Sequence, residues 1–233
     1  MGGGSRVASP GAVSLAHHGV LFLDEAPEFA PQVLDALRTP LESGTVSIAR
    51  SELNARFPAA FQLVLAANPC PCGMASTPGA ECRCPPAAVR RYADKISGPV
   101  RDRVDIAQAF LPLRRSHLKA AGLDGEPSAR VAARVVEARE RQRDRLRGTP
   151  WRTNGEVPGP YLRRGLPAPH GAQLAWDALD RGRLSARGVD KVFRLAWSVA
   201  DLAGRDRPSR DDTALAPAMR RGEQPGTLTR EVG

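Results

Sequence analysis

Asp24 and Glu25 follow directly on an unbroken apolar run, Val20, Leu21, Phe22 and Leu23. A run without alternation is the pattern of a parallel strand covered on both faces. Ligands of open α/β sheets bind beyond the carboxyl ends of such strands. Two carboxylates delivered there suit metal-assisted phosphoryl chemistry: Asp24 to hold Mg²⁺ directly or through water, Glu25 to polarise the attacking water. A second apolar run, Phe61 to Ala67, ends in Asn68. If the two strands are neighbours, the Asn68 amide comes close to Glu25 and can position the same water without titrating. Taken alone, each ending is bland, a strand running into a charged turn or an Asn-Pro turn. Cys70, Cys72, Cys82 and Cys84 then form a CPC and a CRC pair separated by nine residues. Four thiolates suffice for tetrahedral Zn²⁺. The pairs are tighter than usual zinc-finger spacing, and free thiols in a reduced cytosol are the alternative. Gly73 and Gly79 would let the loop fold back.

The elements that must position these groups are legible in part. Residues 1–14 are rich in Gly, Ser and Pro and read as loop, and His17 and His18 as loop histidines. Pro31 opens a helix whose apolar positions are Val33, Leu34, Leu37 and Leu41. Pro40 breaks that run, and Thr39 with Glu42 at capping-box spacing restarts a last turn, which Gly44 ends. Thr45 to Arg50 alternates as a strand, and Phe57 to Ala59 marks a turn. Arg90, Arg91 and Arg101 make a basic stretch, and Val104 to Leu111 alternates as another strand. Residues 113–127 form a hinge. Ser128 to Arg147 is helical, with Val131, Val135 and Leu146 on its apolar face and Arg134, Arg139, Arg141, Arg143, Arg145 and Arg147 outward. Gly148 to Gly171 reads as loop. Ala172 to Arg181 is a short helix, and Ser185 caps the next, with Val189, Val192, Phe193, Ala196, Ala200 and Ala203 as its stripe and Gly204 as its stop. Residues 209–221 form a last helix.

The 233 residues carry a net charge of +9, with 34 basic side chains of which only Lys95, Lys119 and Lys191 are lysines. Such a balance attracts polyanions, nucleic acid among them; an Arg- and Ala-rich genome gives the same composition. No apolar run is long enough to cross a membrane, the first residues lack a signal-peptide core, and cysteines confined to fifteen residues are unlike a secreted disulfide framework. These features point to a soluble cytoplasmic protein of one to two domains.

Four stretches, SLAHHGVLFLDEAPEF, LDALRTPLESGTVSIAR, FPAAFQLVLAANPCPCG and RRYADKISGPVRDRVDI, resemble in order and spacing the magnesium-chelatase-like AAA+ ATPases. These are bacterial relatives of magnesium chelatase subunit I that include the competence-associated branch-migration helicase group. The resemblance covers about Gly2 to Arg221. It implies an α/β fold, a truncated P-loop-type parallel-sheet core followed by a small helical lid, with ATP and Mg²⁺ as cofactors, DNA as partner, and a homo-oligomeric ring in full-length relatives. It implies a partial core over 1–113, a linker over 114–128, a lid over 129–222 and a tail over 223–233. GVLFLDE then resembles the Walker B strand, Asn68 sensor 1, and the TVSIAR strand with the turn around Pro58 the β-hairpin of this clade. Arg103, within DRVD, resembles an arginine finger reaching the next subunit's γ-phosphate; on residues alone it pairs with Asp102 or Asp105. Arg187, at the start of SARGVDKVFRLA, resembles the sensor 2 arginine, which binds phosphate.

A P-loop needs Gly-Lys-Ser/Thr after a strand, and the sequence contains no Gly-Lys pair. Most ATP affinity resides in that cradle. The expectation is therefore the C-terminal part of a longer ATPase, inactive alone and with strands left uncovered. Two other readings stand beside it: a non-enzymatic, zinc-stapled basic module that binds nucleic acid, and a metal-chelatase subunit.

Overall fold

The computed structural model describes residues 9–50, 53–75, 79, 81–110 and 126–222. The chain is mixed α/β and divides into two units, Met1–Val104 and Asp105–Gly233.

In the first unit a short helix α1, Ala12–Leu15, leads into strand β1, Val20–Leu23, so part of the stretch read as loop is helical. A 3₁₀ turn follows at Ala26–Glu28, then helices α2, Pro31–Asp35, and α3, Arg38–Ser43. The helical run breaks at Ala36–Leu37 rather than at Pro40. Pro40 lies in the first turn of α3, where its missing N–H costs nothing. The N-cap is Leu37, with no side-chain bond, so the capping box expected at Thr39 does not form. Gly44 closes α3 in the left-handed region, φ 65°. Strand β2, Thr45–Arg50, pairs antiparallel with β3, Leu53–Pro58, in the register Thr45↔Pro58. The hairpin therefore turns between Arg50 and Leu53, and Pro58 ends a strand instead of marking the turn. The one residue in LNARFP with no N–H to give is thus at the strand's end.

Strand β4, Gln62–Leu65, lies parallel to β1 in the register Val20↔Gln62 through Leu23↔Leu65. Both histidines set this alignment at its start. The His18 N–H donates to the Ala60 carbonyl at 2.6 Å, and the Ala60 N–H donates to His17 Nδ1 at 3.1 Å. The two strands are not covered on both faces, as their apolar runs suggested. Val20, Phe22 and Val64 are 61%, 57% and 41% exposed, alternating with half-covered neighbours. The other face, with Leu21, Leu23, Leu63 and Leu65, is half-buried. The buried side chains of the unit include Leu34, Leu37, Ala59, Tyr92 and Val100, from α2, the α2–α3 link, the β3–β4 link, helix α4, Pro86–Asp94, and helix α5, Gly98–Arg103. Ser97, capping α5, donates to Asp35 Oδ1 at 2.7 Å and so ties α5 to α2.

The second unit begins as an extended segment. No strand forms over Val104–Phe110: Ile106 and Phe110 face outward, and the Ala107 N–H donates to the Met219 carbonyl at 2.9 Å. The expected hinge lies almost wholly outside the described residues. Among the described residues the unit's helices are α6, Ser128–Arg145, α7, Gly159–Arg164, α8, Ala172–Asp180, α9, Ala186–Leu202, and α10, Arg210–Arg221. Helix α7 falls inside the stretch read as loop; Pro160 near its start is a helix-opening proline. The centre is α9. One side packs Val189, Val192, Phe193 and Leu195 against Ala175 and Ala216. The other seats Trp197 among Leu146, Val157, Leu162 and Leu166. Ser185 and Ser209 cap α9 and α10, accepting from Gly188 N–H at 3.1 Å and Asp212 N–H at 3.2 Å.

Helix α6 departs from its expected faces. Val131 and Val135 are exposed, and only Ala138, Gln142 and Leu146 are buried along that side. Arg145 turns inward instead of outward. Its guanidinium grips the fully buried Asp201 through two bonds of 2.6 and 2.7 Å, donates to Asn154 Oδ1 at 2.8 Å, and stacks 4.1 Å over Trp197. Asn154 completes the cluster by donating to Asp201 Oδ2 at 2.9 Å. A buried pair of this kind is costly to break from one side, because the surviving charge is left unpaired. Asp201→Ala is expected to destabilise this unit by about 3–5 kcal/mol, measured by urea unfolding followed through Trp fluorescence. A loss below about 1 kcal/mol would place the pair among weak surface bridges.

Candidate functional site

The parallel register delivers the ends of β1 and β4 to one edge. Pairing continues past the strands: the Ala66 N–H donates to the Leu23 carbonyl at 3.0 Å, and the Ala26 N–H to the Ala66 carbonyl at 2.8 Å. Asp24 and Glu25 therefore lie alongside Ala66 and Ala67, with Asn68 one residue beyond. All three site side chains are exposed, open to a ligand outside the sheet.

Glu25 has φ 49° and ψ 44°, the left-handed region. A glutamate has no local reason to adopt it, and the conformation costs about 1–2 kcal/mol for a residue with a Cβ. The turn is held by the Glu25 N–H donating to Asp24 Oδ1 at 2.9 Å and the Glu28 N–H donating to the Glu25 carbonyl at 2.7 Å. Such outliers persist where surrounding structure over-determines them. Here Ala26 is tied to β4 on one side and fully buried on the other.

The four cysteines come together. Sγ separations are 3.4 Å for Cys70–Cys72 and 3.7 Å for Cys70–Cys82 and Cys72–Cys82, and all four sulfurs, Cys84 included, lie within 4.8 Å. A tetrahedral ion with bonds of about 2.3 Å to sulfur has sulfur–sulfur edges of about 3.8 Å, so the set fits Zn²⁺, whereas a disulfide needs about 2.05 Å. Gly73 and Gly79, at φ 78° and 77°, supply the fold-back. Burial opposes ionisation of Cys70, but hydrogen bonds from Cys72, the Ala75 amide and Cys82 outweigh it and bring this thiol down to about 6. Its partner Cys84 is pushed up to about 12, first by hydrogen bonding with Cys72.

Tyr92, Glu28 and Lys95 also stand at this edge, and nothing in their spacing marks them. Tyr92 is the buried residue of α4. Burial raises its phenol, followed by the Glu28 charge and hydrogen bond and the charges of Glu25 and Cys70. Lys95 Nζ is 3.8 Å from Glu28 Oε2 and 5.6 Å from the Tyr92 ring centre.

Arg103 does not pair with its sequence neighbours in the way its local pattern suggests. It donates to Glu42 Oε1 at 2.6 Å and to the Pro99 carbonyl at 2.7 Å, joining α5 to α3. Arg187 sits exposed in the first turn of α9, in the second unit. The arginines of α6 are largely compensated: Arg134 pairs with Glu126, Arg141 with Glu137, Arg143 with Glu140 and Arg147 with Asp144. Among the described residues no helix is long and apolar enough to cross a membrane.

Sequence comparison adds two family matches, "Magnesium chelatase, subunit ChlI" over residues 1–118 and "Magnesium chelatase, subunit ChlI C-terminal" over 125–220. An uncharacterised protein of Mycobacterium tuberculosis is 52% identical over 221 residues, covering 94% of this chain and 43% of that protein. Competence protein ComM of Haemophilus influenzae is 38% identical over 203 residues, 87% of this chain and 39% of its own length. YifB of Escherichia coli is 37% identical over 222 residues, 94% and 42% respectively. The chain thus spans less than half the length of the curated relatives it matches.

The strained turn makes a measurable prediction. Glu25→Gly should be more stable than Glu25→Ala by about 1 kcal/mol, since only the latter keeps a Cβ at positive φ; equilibrium urea unfolding of the two variants decides it.

Proposed function

From the premise that the chain belongs to the magnesium chelatase ChlI family, we propose that it is the hydrolytic-carboxylate and lid portion of an AAA+ ATPase acting on DNA. The observation that carries this reading is the β1–β4 register, with two carboxylates and an amide on one exposed edge and the glutamate held in a strained turn. In this reading residues 1–113 form a partial core, 114–128 a linker and 129–222 a lid.

Asp24 would hold Mg²⁺ through water, and the ion would neutralise phosphate charge. Glu25 accepts the proton of the attacking water, and Asn68 orients that water. The fit stops there for ATP. The sequence has no Gly-Lys pair, so nothing in it cradles the β-phosphate as a P-loop does, and that loop would come from outside these residues. In a ring, Arg103, whose side chain is 12% exposed, would have to leave Glu42 and the Pro99 carbonyl to meet a neighbour's phosphate. Arg187 would meet phosphate from the lid. Zn²⁺ would staple residues 70–84, a role supported by the sulfur spacing. DNA as substrate is supported by the net charge of +9 and by the relative named as a competence protein. The ion pairs along α6 argue against that helix as the contact surface.

The thiol cluster also favours a second reading, a zinc-stapled module that binds nucleic acid without turnover. One substitution separates the two. The purified chain is expected to show no Mg²⁺-dependent ATP hydrolysis. Supplied with a polypeptide bearing the Gly-Lys-Ser/Thr loop, it should turn over, and Glu25→Gln should cut that rate by about 10²–10⁴ while ATP stays bound. A clear rate from the chain alone, or an unchanged rate in the variant assembly, would sink the ATPase reading. A simple binder would keep its DNA affinity in Glu25→Gln and never hydrolyse ATP.

A further inference from the structure

The cysteine loop is joined at both ends to the carboxylate edge. On one side Cys70, fully buried, is two residues from Asn68 with only Pro69 between. Asn68 continues from Ala66, whose carbonyl takes the Ala26 N–H at 2.8 Å. On the other side Cys84 is followed by Pro85, the N-cap of α4. That helix carries the buried Tyr92 about 9 Å along its axis, close enough to Glu28 for the carboxylate's charge to raise the phenol. Lys95, the C-cap of the same helix, approaches the same carboxylate at 3.8 Å. The Glu28 N–H then donates to the Glu25 carbonyl at 2.7 Å. Two independent paths thus leave the four sulfurs and meet on the left-handed turn at Glu25.

We propose that metal held by Cys70, Cys72, Cys82 and Cys84 is the positioning device of the carboxylate edge, acting through Asn68 on one path and through α4, Tyr92 and Glu28 on the other. Tyr92 is thereby a positioning residue for Glu25, touching neither water nor nucleotide. This rests on the hydrolytic reading for its purpose but not for its test. Closing a fifteen-residue loop with an ion fixes where β4 ends and where α4 begins, and both determine the turn that keeps Glu25 in a conformation it would otherwise leave. Without the ion, only sulfur–sulfur contacts of 3.4 to 3.7 Å among Cys70, Cys72 and Cys82 hold the loop, and the turn can relax to a negative φ.

The test uses the full ¹⁵N-labelled chain without nucleotide, loaded with one equivalent of Zn²⁺ and then stripped by a chelator. Stripping is expected to shift the Asn68 side-chain amide and the Glu25, Ala26 and Glu28 backbone amides. It should speed exchange of the Ala26 amide at least tenfold and leave the β2–β3 hairpin amides in place; readdition of Zn²⁺ should reverse all of this. Tyr92→Phe, which keeps the ring, should retain one Zn²⁺ per chain, move the Glu25 and Glu28 amides, and leave the Asn68 side chain unmoved. The proposal is overturned if the chain takes up no Zn²⁺, if the shifts on stripping stay within residues 69–85, or if Tyr92→Phe leaves Glu25 and Glu28 where they were. Loss of the hairpin signals together with the rest also overturns it, because the metal would then staple the whole unit. A chain that behaves as expected yet never supports ATP turnover loses the ATPase reading alone.

Discussion

Every candidate group in the first unit hangs from one constraint, the parallel pairing of β1 with β4. Parallel strands need a long crossover, and here the crossover contains α2, α3 and a hairpin. Its length lets residues forty positions apart in the chain end at the same edge. A two-stranded ladder is weak by itself. This one is held at its start by the two histidines on Ala60 and at its end by the Ala26–Ala66 bond. One face is half-buried, and the other, with Val20, Phe22 and Val64, is open. The edge is thus set by backbone bonds at both ends more than by a deep core.

The electrostatics around that edge run in two directions. Asp24, Glu25 and Glu28 gather negative charge, relieved by Lys95 and by the Tyr92 hydroxyl. A few residues away four sulfurs lie within 4.8 Å of one another, and hydrogen bonds draw Cys70 toward the thiolate. Only the thiol cluster, among the described residues, brings its ligand atoms within reach of one ion, and thiolates suit a soft-tolerant divalent cation.

The second unit is built on other terms. Helix α9 is buried on both sides by aliphatic and aromatic packing, and a charged cluster of Arg145, Asn154 and Asp201 locks α6 to its end. Removing one arginine from the outward set and pairing most of the others leaves α6 far less basic in effect than its composition. Net charge counts residues, whereas a field depends on which of them have an anion within a few ångströms.

Much was legible without coordinates. Period and punctuation located the main strands and helices: Gly44 and Gly204 as stops, Ser185 as a cap, Pro31 as an opening, because these signals are local. The acids at one strand end and the amide at another were readable for the same reason. Local signals failed where a residue has two uses. Pro40 could break a helix or start one, Pro58 could turn a chain or end a strand, and the apolar run of β1 could be buried or half bare. Tertiary structure alone decided that β1 and β4 are neighbours in register, that the sulfurs converge, that Arg145 points inward, that Arg103 holds Glu42, and that Tyr92 joins Glu28. Each of these is a contact between segments far apart in the chain, so its energy depends on packing that no window of sequence contains.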